Sequence, residues 1–117
     1  MESTYFRRAL MGLTVALGVA TAAPGVTAKA PSTKPVTHTV TMDATAFAPA
    51  NLTVNAGDTV VWVNKDPFAH TATSKPGGFD SDDIHSGKSW KFVAKKKGDF
   101  PYICSIHPTM RGTLHVK

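Results

Sequence analysis

The sequence predicts an all-β domain, an antiparallel sandwich or barrel, and three observations carry that expectation. Seven short β-rich runs fall at regular spacing between Val36 and Lys117, each bounded by Gly, Pro, Asn or Asp. No stretch after residue 22 sustains a helical period. No segment between the runs is long enough for the crossover helices that parallel strands require.

In chain order, residues 36–42 alternate with period two, setting Val36, His38, Val40 and Met42 on one face and three threonines on the other, as a half-buried strand does. Runs at 52–54 and 59–63 follow, separated by the short reversal Ala56-Gly57-Asp58. A run at 70–73 leads to Pro76-Gly77-Gly78, whose glycines give a loop backbone freedom. Runs at 89–93 and 98–104 flank Lys95-Lys96-Lys97, read as a solvated turn, and the run at 112–116 closes the domain. Trp62, Trp90, Phe47, Phe79, Phe92, Phe100 and Tyr102 supply core and rim packing.

Residues 1–22 have the form of a cleavable export signal: a head with Arg7 and Arg8, an apolar run at 9–20, and the small residues Ala20-Thr21-Ala22. The run is shorter than the roughly 20 apolar residues of a bilayer-spanning helix, so cleavage is favoured over an anchor. A cut after Ala28 or Ala30 fits the same rule, and the paired arginines leave the export route open. Residues 23–35, rich in Pro, Ser and Lys, form a tether, and 36–117 the folded domain. The product is expected to be exported, and periplasmic if its source is bacterial.

The chain of 117 residues carries a formal charge of +5; loss of Arg7, Arg8 and Glu2 leaves +4. A basic balance favours solubility and acidic partners. Its basic residues have no interleaved aromatics, which argues against a nucleic-acid surface.

Cys104 is the single cysteine, which excludes a disulfide within the monomer. It opens Cys104-Ser105-Ile106-His107-Pro108-Thr109-Met110, a C-x2-H-x2-M spacing on one short loop, with His70 upstream at the start of another run. A free surface thiol would be an oxidation liability outside the cytoplasm, and an intermolecular bridge would not need His107 and Met110 at set offsets. One thiolate, two imidazoles and a thioether make the set that holds a single copper ion in a trigonal site with a weak axial sulfur. His38 and His115 alternate into strand faces as structural residues, and His85 sits at the surface. The stretch Ser86-Gly87-Lys88-Ser89 lacks both the upstream glycine and the helix of a phosphate loop.

The stretches Phe47-Ala48-Pro49, Leu52 through Asn64, His70-Thr71, Phe79-Asp80-Ser81 and Tyr102 through Gly112 together resemble the cupredoxins, the small blue copper proteins, most closely the amicyanin and plastocyanin branch. The short C-x2-H-x2-M loop is the amicyanin form, and the upstream N-x5-H from Asn64 to His70 joins it. This resemblance implies a Greek-key β-sandwich of about seven to eight strands with one type 1 copper held by His70, Cys104, His107 and Met110.

It further implies a monomeric, non-enzymatic shuttle passing single electrons between larger redox proteins, without stable membrane insertion. Those partners would dock on an apolar patch of Pro67, Phe68, Ile106 and Pro108 around the solvent-facing edge of His107. Around the metal, Asn64 is expected to tie the loop before His70 to Ser105 and to bring its backbone N–H to the thiolate. Ile106 stands where amicyanin and plastocyanin carry proline, and its N–H is expected to give the sulfur a second hydrogen bond. A copper-delivery or storage module is the alternative function, against which the thiolate of Cys104 speaks. An oxidase or reductase would need a substrate site or further coppers, and no second ligand cluster is visible in the sequence.

Overall fold

The computed structural model describes Gly18 and residues 34–117. The expected export segment apart from Gly18, and the tether before Lys34, lie outside the described residues. Nine strands follow in order: β1 (Thr37–Asp43), β2 (Ala46–Ala48), β3 (Asn51–Val54), β4 (Thr59–Asn64), β5 (Thr73–Ser74), β6 (Phe79–Asp80), β7 (Ser89–Val93), β8 (Gly98–Ile103) and β9 (Arg111–Val116). They form a two-sheet Greek-key sandwich, one sheet ordered β2-β1-β4-β7 and the other β3-β9-β8-β5-β6. No helix occurs among the described residues.

The count exceeds the expected seven to eight because β2 and β6 are two or three residues long, too short to show a period, while the run expected at 70–73 is a strand only at Thr73–Ser74. The expectation of wholly antiparallel sheets is also corrected. β1 pairs with β4 in parallel, Thr37 opposite Thr59, and β3 pairs with β9 in parallel, Leu52 opposite Leu114. A parallel pair needs a long return path rather than a helix as such, and the chain finds it by visiting the opposite sheet: β3 lies in the second sheet between β1 and β4 in sequence.

Alternation does the rest. Along β4 the burial pattern is strictly two-fold, with Val60, Trp62 and Asn64 turned inward and fully buried. β1 contributes Val40 and Met42 to the same interior, β8 contributes Phe100 and Tyr102, and β9 contributes Leu114 and Val116. Trp62 sits at the middle, its ring 5.6 Å from Phe79, 5.6 Å from Trp90 and 5.5 Å edge-on from Tyr102. Such offset and edge contacts add to the area term. Burial pushes the Tyr102 phenol up to about 12, the neighbouring Trp62 offsetting this only in part. Gly112 is what admits that ring, since a Cβ there would lie 2.5 Å from the Tyr102 hydroxyl. Residues Pro31–Lys117 make one compact unit, and every strand and core residue lies within it.

Two aspartates flank β4 and pin β1 at both its ends. Asp58, just before the strand, accepts from the N–H of Val36 at 2.9 Å and of Asn55 at 3.0 Å, and meets His38 Nε2 at 2.9 Å. Asp66, two residues beyond the strand, accepts from the N–H of Ala44 at 2.8 Å and of Thr45 at 2.9 Å, and meets His70 Nε2 at 2.6 Å. Ala44 and Thr45 turn the β1–β2 hairpin with φ of 50° and 58°. That left-handed backbone disfavours non-glycine residues, and the carboxylate helps to hold it. The structural roles expected of His38 and His115 agree with their carboxylate partners, Asp58 and, at 2.6 Å, Asp99. His85 is exposed.

Candidate metal centre

The segments after β4 and after β8 meet at one end of the sandwich. His70 is held by a two-way bridge to Ile84, donating its N–H at 3.2 Å and accepting at 2.7 Å. Cys104 immediately follows β8, and its N–H reaches the Met110 carbonyl at 3.0 Å while the Met110 N–H reaches the His107 carbonyl at 2.9 Å. These two bonds close the ligand loop on itself before β9 begins.

The thiol sulfur of Cys104 lies 3.6 Å from His70 Nδ1 and 3.9 Å from His107 Nδ1. The three donor atoms lie within 4.8 Å of one another. A trigonal ion about 2.0 Å from each nitrogen and about 2.3 Å from sulfur would hold nitrogen and sulfur roughly 3.7 Å apart. The two observed separations bracket that value, so these residues fit a single soft-to-borderline metal ion. His70 and Cys104 are fully buried, Met110 is buried in the core cluster beside Cys104, and His107 is half-buried.

The surrounding contacts differ from those expected. Asn64 does tie the loop before His70: its amide donates to the carbonyls of Phe68 and Ile84, both at 2.8 Å, and accepts the Asp66 N–H at 2.9 Å. It does not reach Ser105, and its own N–H goes to the Lys88 carbonyl. Both tasks expected of Asn64 fall to Thr71. The Thr71 N–H donates to the Cys104 sulfur at 3.3 Å, and its hydroxyl accepts the Ser105 N–H at 2.8 Å and lies 3.0 Å from the Ser105 hydroxyl. Thr71 wins because it follows His70 directly and faces the end of β8, whereas the Asn64 side chain is consumed inside its own loop. The second bond to sulfur expected from Ile106 is absent as well. Thr71 is the one backbone donor reaching it among the described residues.

Asp66 was not singled out by the sequence, yet it orients a candidate ligand. Burial by itself would push its carboxyl up; the hydrogen bonds from His70, Thr45 and Ala44 outweigh that and hold it below the usual carboxylate range. An ionised Asp66 only accepts, so His70 carries its proton on Nε2 and turns the Nδ1 lone pair toward the sulfur. The only sequence signal was the four-residue interval from Asp66 to His70.

Phe68 lies over both imidazoles, 5.1 Å from His70 and 5.5 Å from His107, and the two imidazoles are 5.1 Å apart. Phe68 and Ile106 are exposed at 44% and 47%, two of only four exposed large hydrophobics among the described residues. Pro67 and Pro108 are exposed beside them. The four residues expected to form a docking patch therefore offer apolar surface next to His107.

Comparison with known proteins agrees with this geometry. Residues 10–116 match the family model described as Cupredoxin-like domain. Amicyanin from Paracoccus versutus is 30% identical over 71 residues, covering 56% of this chain and 54% of its own length. The chain thus spans about half of that relative. Plastocyanin from Scenedesmus fuscus is 29% identical over 92 residues, 63% of this chain and 89% of that one. Among solved structures, the Cu-containing nitrite reductase of Thermus scotoductus SA-01 superposes with a TM-score of 0.66 at 32% identity, over 73% of this chain and 23% of the reductase.

Proposed function

Because this chain belongs to the cupredoxin-like domain family, we propose that it is an exported one-electron carrier rather than an enzyme, with a type 1 copper held by His70, Cys104, His107 and Met110. The observation that carries the reading is the convergence of one sulfur and two Nδ1 atoms at 3.6 and 3.9 Å. Copper bound by such donors takes up and releases a single electron.

The protein's own residues account for the rest. Cys104 binds as thiolate, its negative charge met by the Thr71 N–H. Asp66 keeps the His70 ring turned and its tautomer fixed, and the bonds from Thr71 to Ser105 join the two ligand-bearing segments without help from any ion. Phe68 packs against both imidazoles at the outer side of the site. His107, half-buried between exposed Ile106 and Pro108, offers the shortest way out for an electron. A redox partner with a flat apolar surface would dock on Pro67, Phe68, Ile106 and Pro108.

The likeness to a nitrite reductase covers 23% of that protein, so it speaks for the shared domain, while the likeness to amicyanin and plastocyanin supports a carrier. The test is optical and EPR spectroscopy of the copper-loaded protein with voltammetry. An intense thiolate-to-copper band, narrow copper hyperfine splitting and reversible one-electron redox are expected, and Cys104→Ser should abolish the band. Copper that passes readily to a chelator, with no such band in the parent, would overturn this reading in favour of metal delivery.

A further inference from the structure

The pole opposite the metal centre has a chemistry of its own. The turn at Asn55–Asp58 gathers three other pieces of chain. Gly57 N–H bonds the Ala94 carbonyl and Ala94 N–H the Asp58 carbonyl; Ala56 N–H bonds the Lys117 carbonyl; and Asp58 holds the Val36 N–H. Each piece brings exposed lysines: Lys95, Lys96 and Lys97 directly after Ala94, Lys117 at the C-terminal end, and Lys34 just before Val36.

Residues 34–117 carry ten Lys and Arg against seven Asp. These five lysines, set against Asp58 and Asp99, hold the whole excess; the remaining five cations face five aspartates. Asp58 is occupied by His38 and two N–H groups, and Asp99 meets His115; no lysine lies within ion-pair distance of either among the described residues. Every ion pair among the described residues is a His–Asp pair, so none of the five lysines has a carboxylate partner.

Apolar surface sits among these charges. Val36 and Val93, exposed at 52% and 44%, are the two large exposed hydrophobics away from the metal pole among the described residues. They flank Thr59, whose N–H bonds the Val36 carbonyl and which pairs across the sheet with Val93. Exposed aliphatics set among lysines suit the boundary between the phosphate headgroups and the acyl chains of an anionic bilayer.

We propose that this pole is a peripheral docking surface for an anionic phospholipid bilayer: the five lysines on headgroup phosphates, Val36 and Val93 at the interface, and the metal pole turned outward to meet redox partners. The surface does not depend on the metal reading and can fail separately from it.

The chain Pro31–Lys117 would be sedimented with vesicles of phosphatidylcholine alone and of phosphatidylcholine with phosphatidylglycerol. Binding is expected to the mixed vesicles only, and to weaken as salt rises. Lys95→Gln, Lys96→Gln and Lys97→Gln combined should weaken it on the order of 100-fold, each lysine near the surface being worth about fivefold. The same change in charge made at Lys65, Lys75 and Lys88 should leave it intact. Val36→Ser with Val93→Ser should weaken vesicle binding while leaving retention on immobilised polyglutamate unchanged. No binding to the mixed vesicles, or equal loss from both lysine triples, would overturn the proposal. Polyglutamate binding together with vesicle binding indifferent to the valines would overturn the lipid assignment in favour of an acidic protein.

Discussion

The two ends of β4 use the same device for different ends. At each, a buried aspartate gathers two backbone N–H groups and the Nε2 of a histidine: Asp58 with Val36, Asn55 and His38, Asp66 with Ala44, Thr45 and His70. The knots differ in what lies beyond the ring. His70 is fully buried, and its second nitrogen faces a sulfur at 3.6 Å; the His38 side chain is 24% exposed and makes no further hydrogen bond. A carboxylate–histidine pair that only fastens a strand at one pole becomes, with a thiol added, the frame of a candidate metal centre at the other.

Alanine at each aspartate tests the comparison most severely. Asp58→Ala and Asp66→Ala should both lower the melting temperature, because each strands two N–H groups and an imidazole with no acceptor. Only Asp66→Ala should weaken copper binding, by about 10- to 100-fold, as loss of a partner that orients a ligand does. Competition titration with a copper chelator reads the difference, and equal affinities in the two variants would dissolve the distinction drawn between the poles.

A smaller effect is expected from Gly112→Ala. The new methyl would meet the Tyr102 ring 2.5 Å away, two residues before Cys104, and overpacking of this kind costs about 1–3 kcal/mol. Denaturant unfolding measures the cost. Because the strain falls at the metal pole, the copper spectrum should shift as well, which a substitution confined to the Asp58 knot would not cause.

Smallest is the response to acid. Hydrogen bonds from the Val36 N–H, from His38 and from the Asn55 N–H lower the Asp58 pKa from 3.8 to about 2. A carboxyl depressed in the folded state stabilises fully above its unfolded value and loses that contribution as pH falls through the folded one. The stability gap between the parent and Asp58→Asn should therefore be constant above about pH 4 and close between there and about pH 2, followed by thermal unfolding in circular dichroism.

The metal pole was far more legible in the sequence than the knots that brace it. Cys104 and His107, which the structure brings together with His70, stand out because donors on one loop recur at short fixed spacing, and the longer strands stand out because alternation is local. Asp58 and Asp66 were hidden because carboxylates beside Gly57 and Pro67 look like ordinary turn residues. Their partners at Val36 and Ala44 are each 22 residues away. Thr71 was hidden for the same reason, its bonds to Cys104 and Ser105 crossing 33 and 34 residues. The parallel pairing of β1 with β4 leaves no trace in periodicity, since either direction alternates alike. A family pattern carried over to Asn64 named the right region and the wrong donor.

The group that touches the Cys104 sulfur is a peptide amide rather than a side chain. Ordinary point mutation cannot delete a main-chain N–H; at position 71 only a change to proline would remove it. Replacement of the side chain at position 71 can thus loosen the latch to Ser105 while the one N–H that meets the Cys104 sulfur is kept.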